Sequence, residues 1–263
     1  MANSAAASHS AMIRRWSVAG CPDDAAAMSE STTSAGPPSQ LRTTASAPSA
    51  RKSSSWTPAG AAALSLPASA ATPDELIRPI QDQWAEIKYR QPEKQHAESY
   101  RMLASQARRV VEANPKLPEP LIWEGIVLSS EAGAAGGLGA LSLAKEARQR
   151  LDEALKIDDK ALGGSAYASL ATLYAKVPGW PVGFGDKERA EEYFRKALAI
   201  NPDGIDPNYF YGEHLSERGR QDEAVAHLEK ALQAPARPGR ELADSGRRQE
   251  VQALLGKVKK DQR

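Results

Sequence analysis

The chain has 263 residues, 25% of them charged, and a formal net charge of +1. Such a balance offers no basic stripe for nucleic acid, and no apolar run reaches the roughly 18 residues a membrane-spanning helix requires. Cys21 is the only cysteine, which excludes an internal disulfide framework and any Cys-based zinc site.

Of the first 72 residues, 50 are Ala, Ser, Thr, Pro or Gly, and Trp16 and Trp56 are their only aromatics. That composition buries too little apolar surface to offset the entropy of ordering it, so residues 1–71 read as a disordered lead. Within it, Arg51 and Lys52 precede an apolar stretch that ends in Ala68-Ser69-Ala70. A basic start and a small-x-small end make residues 51–70 resemble an export signal with cleavage near Ala70, which predicts a periplasmic or secreted protein. If the stretch is only a linker, the protein is cytoplasmic. Val18-Ala19-Gly20-Cys21 matches a lipoprotein box, but Arg15 stands too close to Cys21 for an apolar region between them, and chance explains the match.

From Thr72 onward the chain reads as one helical domain, 72–263. Thr72-Pro73-Asp74-Glu75 is a helix opening with a cap, a first-turn proline and a capping-box glutamate. Leu76, Ile77, Ile80, Trp84 and Ile87 then follow the 3.6-residue period to about Tyr89. A second helix over about 94–113 ends at Asn114-Pro115, completing a first unit at about 72–115. The second unit, about 118–159, sets Leu121, Gly125 and Leu128 against Ala147, Leu151 and Ala154. The third, about 162–203, sets Tyr167, Leu170, Ala171 and Tyr174 against Ala190, Phe194 and Ala197. The fourth, about 205–236, sets Tyr211, Gly212 and Leu215 against Ala224, Leu228 and Ala231. A shift of 34 residues carries Ala190, Phe194 and Ala197 onto Ala224, Leu228 and Ala231, and a fixed period of that kind means stacked supersecondary units. Small residues at the crossings allow close helix approach. A last amphipathic helix, about 239–260, carries Leu242, Val251, Leu254, Leu255 and Val258, with Arg247, Arg248, Gln249 and Lys257 on its other face. It is expected to cap the array.

Two stretches exceed the period, 129–146 and KVPGWPVGFGD at 176–186. Both read as loops inserted within helix pairs on one edge of the array, close enough to touch. Trp180 and Phe184 in the second are either recognition anchors or a cover folded over the groove.

Residues 118–236 resemble a tetratricopeptide repeat array, most specifically over GFGDKERAEEYFRKALAINPDGIDPNYFYGEHLSERGRQDEAVAHLEKAL. The block is similar to exported tetratricopeptide proteins of Gram-negative bacteria, and more loosely to the T-component of TRAP transporters. The resemblance implies an all-α, right-handed helical-hairpin solenoid of about four helix pairs plus a cap. It further implies that first helices line a concave groove. By position that lining comprises Ile122, Ile126, Ala168, Thr172, Tyr209, Glu213 and Glu217, apolar at one end and acidic at the other. The Lys and Asn with which chaperone-binding members clamp a terminal carboxylate do not stand at these places. The function so implied is a non-catalytic protein–protein interaction scaffold using the groove and the two loops. The alternatives are an accessory ligand-binding component of a TRAP-type solute transporter and an envelope assembly factor.

Nothing in the sequence asks for chemistry. His9, His96, His214 and His227 lack metal-ligand spacing, and His214 and His227 read as surface residues. The run AGAAGGLG lacks the strand before it and the GK[ST] after it that a phosphate loop needs. Carboxylates pair with basic residues along polar faces, as in Arg148/Asp152 and Glu192/Lys196. No catalytic residue, cofactor or metal is expected, and the expected partner is a protein or peptide.

Overall fold

The computed structural model describes residues 71–262, so the signal-like stretch lies outside the described residues. Nine helices and no strand occupy the described part: α1 (Pro73–Arg90), α2 (Glu93–Ala113), α3 (Pro118–Ala135), α4 (Gly137–Ile157), α5 (Ala161–Lys176), α6 (Lys187–Ile200), α7 (Ile205–Glu217), α8 (Gln221–Gln233) and α9 (Glu241–Asp261). The opening of α1 is the capping box its sequence encodes. Thr72 Oγ1 accepts from the Glu75 amide at 3.3 Å, and Glu75 Oε2 accepts from the Thr72 amide at 2.7 Å. Asp186 caps α6 in the same way, accepting from the Arg189 amide at 3.0 Å. The first turn of α5 is irregular, with Leu162, Gly163 and Gly164 all at positive φ.

The hairpins α1–α2, α3–α4, α5–α6 and α7–α8 stack into an all-α solenoid. Its core follows the repeat: Leu128, Ala147, Leu151, Leu170, Ala171, Ala190, Phe194, Ala197, Leu215, Ala224, Leu228 and Ala231 are all buried. Units two and four use the same crossing. A Cβ placed on Gly125 would lie 2.7 Å from Leu151 Cγ, and one on Gly212 would lie 2.9 Å from Leu228 Cγ. A leucine at Gly212 must therefore push Leu228 out of the core. Gly212→Leu is expected to cost about 1–3 kcal/mol, measured as a lower chemical-denaturation midpoint, and Gly125→Leu should match it.

The stretch 129–146 is not a loop. α3 runs through it to Ala135 and α4 begins at Gly137, with only Gly136 (φ 60°) between them. The extra residues lengthen both helices instead of leaving the array. The physical reason is that alanine and leucine dominate the stretch and favour helix, while glycine costs only about 1 kcal/mol each. The two long segments do meet, since a Cβ placed on Gly183 would lie 3.3 Å from Leu141 Cδ1, and just beyond the first stretch the Arg148 guanidinium lies 4.3 Å from the centre of the Phe184 ring. Arg148 takes that position in preference to the expected ion pair with Asp152, whereas Lys196 and Glu192 do pair, at 2.7 Å.

The last helix does more than cover unit four. α9 packs on α8 and α7 and also on α1, at the opposite end of the described chain. Arg78 Nη1 donates to the Gly239 carbonyl at 2.8 Å, and Glu250 receives both Lys88 Nζ at 3.2 Å and the Tyr89 hydroxyl at 3.2 Å. The inner helices α1, α3, α5, α7 and α9 thus contact one another in sequence and back to the start. The side of α9 expected to face solvent is partly turned inward: Arg247 is buried.

Candidate functional site

The inner helices enclose a cavity of about 1480 Å³. On the α1–α3 side its wall is aromatic, with the Trp84 and Trp123 rings 6.2 Å apart and edge to face. The Trp84 indole N–H donates to Ser130 Oγ at 2.8 Å, and that hydroxyl in turn donates to the Ile126 carbonyl. Small and hydroxylated residues of α3 and α5, including Ser129, Ser165, Ser169 and Thr172, make a narrow polar seam beside it. The lining also includes Tyr209, Phe210 and Glu213 of α7 with Arg240, Arg247 and Glu250 of α9 and its lead-in.

Of the residues expected to line the groove, Ile126, Ala168, Thr172, Tyr209, Glu213 and Glu217 all border the cavity, and Ile122 does not. Ile122 is fully buried in the core. Residues four apart share a helix face more closely than a carry-over by position resolves, and here Ile126 takes the cavity side while Ile122 packs inside. Tyr209 is also nearly closed off. The Arg247 guanidinium, supplied by α9, lies 4.6 Å from its ring centre and 4.5 Å from that of Phe210, a cation–π contact with both rings. Burial pushes the Tyr209 hydroxyl far above the ordinary phenol range.

The acidic end of the groove is not acidic in net terms. Lys176 Nζ stands 3.1 Å from Glu213 and 2.5 Å from Glu217, and Lys187 approaches Glu217 at 4.0 Å. Burial alone would lower Lys176, but the two glutamates outweigh it and hold the ammonium above the ordinary lysine range. Two carboxylates thus face two lysines, and these four groups carry no net charge. The sequence missed this because Lys176 closes α5 while its acids sit on α7, 37 and 41 residues away.

Trp180 and Phe184 part company. Phe184 is half-buried, edge-on to Tyr174 at 5.4 Å between ring centres and beneath Arg148. Trp180 is 90% exposed, next to the exposed Val182. The loop that carries it is held by its own backbone: the Gly185 amide donates to the Pro178 carbonyl and the Asp186 amide to the Tyr174 carbonyl, both at 2.9 Å. Val177, Pro178, Gly179 and Val182 of this loop border the cavity, while Trp180 stands outside it.

Two buried groups outside the cavity correct the surface assignment of charged and titratable residues. His214 is 1% exposed and packs beside Phe194 and Tyr211, with neither ring nitrogen hydrogen-bonded among the described residues. Desolvation, helped by Lys187 and Arg218, lowers its pKa to about 4, so it is a neutral core group. Glu124 is wholly buried between Arg108 and Arg150, each at 3.1 Å. The signal that could have revealed it is a single acid inside the apolar run Leu121–Leu128.

Among the described residues, no group of three or more His, Cys, Asp or Glu side chains is placed to hold a metal ion. No helix of the described part is long and apolar enough to cross a membrane.

A fold of stacked helical hairpins with a concave interior is that of a helical-repeat solenoid. Residues 183–203 match the family model of the tetratricopeptide repeat. They cover the end of the Phe184 loop, α6 and Asn201-Pro202. Among solved structures, a thermophilic TPR protein of Thermus thermophilus is similar at 16% identity and a TM-score of 0.37, over 68% of this chain and 98% of that one. At that score the likeness carries no weight, and the fold rests on the hairpins themselves. No curated protein matches the chain.

Proposed function

We propose that the protein is a non-catalytic interaction scaffold that holds a segment of a partner protein in the cavity bounded by α1, α3, α5, α7 and α9. The observation that carries this reading is the size and lining of that space. At about 1480 Å³ it exceeds the roughly 300–1,000 Å³ of small-molecule sites. Its aromatic wall, hydroxyl seam and paired charges suit side chains of mixed character. Trp180, rigidly presented and solvated, supplies an anchor outside the cavity for the body of the same partner. Export follows as part of the proposal if residues 51–70 act as a signal. A second reading, an accessory ligand-binding component of a solute transporter, draws support from the way α9 encloses the cavity.

The test is to fill the space. Thr172 is half-buried on the cavity wall and hydrogen-bonded only to its own helix, at the Ala168 carbonyl, so Thr172→Trp should occupy the cavity without breaking a long-range contact. Affinity capture followed by mass spectrometry is expected to lose the specific partners in Thr172→Trp. Arg195→Ala, on the exposed outer side of α6, should keep them. Equal recovery by both variants would remove the cavity from consideration as the binding site.

A further inference from the structure

The corner of the cavity where α9 meets α1 and α3 holds four arginines, and they are not alike. Arg237 is matched by Asp206 at 2.7 Å and Asp244 at 2.6 Å. Arg247 is matched by Asp206 at 2.8 Å and Glu250 at 2.5 Å. Arg78 is committed to the Gly239 carbonyl at 2.8 Å. Arg240 has no carboxylate within 4 Å and no side-chain hydrogen bond among the described residues, although it borders the cavity. The acid nearest to it in sequence, Glu241, is turned away to accept from the Gly239 amide at 2.9 Å.

What Arg240 does contact is the Trp123 ring, with its guanidinium carbon 5.0 Å from the ring centre. An aromatic face steadies a guanidinium but satisfies none of its five N–H donors. Trp123 is itself short of a partner. It is 5% exposed, borders the cavity, and its indole N–H has no acceptor among the described residues, whereas the neighbouring Trp84 N–H is satisfied by Ser130. Arg240 therefore brings donors and no acceptor to one corner of an aromatic-walled space, whereas the Trp123 N–H is buried away from it. Burial and the neighbouring Arg237 make the Arg240 cation less comfortable than an ordinary arginine, which sharpens its demand for a counter-anion.

We propose that Arg240, steadied by the Trp123 ring, forms a carboxylate-recognition subsite of the cavity, which takes an organic acid whose apolar body lies along the Trp84–Ile126 wall. The guanidinium fork matches two carboxylate oxygens. This inference rests on the cavity being the binding site. The carboxylate belongs either to a free organic acid or to an acidic residue of the bound segment.

The experiment is isothermal titration of the full chain with phenylbutyrate and with its neutral amide. Wild type is expected to bind the acid and to bind the amide at least about 10-fold more weakly, the usual worth of a charge-assisted hydrogen bond. Arg240→Gln should weaken the acid by a similar factor and leave the amide unchanged. Trp123→Leu, which removes the ring face that steadies the guanidinium, should weaken the acid by a smaller factor. Circular dichroism melts of both variants confirm that they fold. No binding of the acid, equal binding of acid and amide, or undiminished binding to Arg240→Gln would each overturn the subsite. The first of these leaves the cavity reading intact, because that reading stands or falls on Thr172→Trp. If Arg240→Gln also loses the captured protein partners, the carboxylate comes from the partner. If capture persists while the acid no longer binds, it comes from a free acid.

Discussion

Replacing Asp206 by alanine is expected to release α9 from the inner ring. Asp206, near the start of α7, accepts from Arg237 at 2.7 Å and from Arg247 at 2.8 Å. Among the described residues it is the only carboxylate shared by Arg237 and Arg247. The Arg247 side chain is 7% exposed, so truncating its partner leaves a largely buried cation with Glu250 alone. Losing one member of such a cluster costs about 3 kcal/mol or more. The measurement is amide hydrogen exchange: α9 should lose protection far beyond α3 to α6, and the denaturation midpoint should fall with it. Unchanged exchange in α9 would show that apolar contacts alone hold it. The native contact should also resist acid. Burial opposes ionisation of Asp206, but Arg247 and Arg237 outweigh it and hold the carboxyl well below the usual range. A depressed carboxylate contributes fully above its unfolded value of about 4 and fades only as the pH falls toward its folded one.

The second large effect is expected at Glu124. Its carboxylate is wholly buried and depends on Arg108 and Arg150, which are themselves partly exposed. Removing both arginines strands a buried charge, and Arg108→Ala/Arg150→Ala should lose about 3–5 kcal/mol of unfolding free energy. Adding Glu124→Leu to that pair removes the stranded charge and should recover most of the loss, because an apolar replacement of a buried ionic cluster is often close to neutral. If the triple variant is no more stable than the double, packing around the arginine stems, not the buried charge, is what the double variant disrupts.

The repeat was legible because its rules are local. Thr72 and Glu75 cap α1 through contacts three residues apart, and Ala190, Phe194 and Ala197 echo Ala224, Leu228 and Ala231 because each pair of helices meets the same crossing. Glycine misled where it stood among alanines and leucines, since the Gly133–Gly139 run continues as helix on both sides of Gly136. The closure of the ring was not legible. Arg78 and Gly239, or Tyr89 and Glu250, are separated by 161 residues, and a periodic pattern speaks only for neighbouring units. The candidate site was read in part for the same reason. Position within a unit brought Ile126, Thr172 and Glu213 to the cavity, while Arg240, Trp123 and the lysines that neutralise Glu213 and Glu217 depend on which helices the superhelix sets face to face.

An open array of helical hairpins can gain or lose a unit, because each unit touches only the next. Contact between α9 and α1 removes that freedom. A fifth hairpin spliced between α6 and α7 would carry Gly239 away from Arg78 and Glu250 from Tyr89, so the length of this array is locked by its own two ends. The same contact makes the first and last helices depend on each other, so that loosening either one weakens a wall of the cavity formed by both.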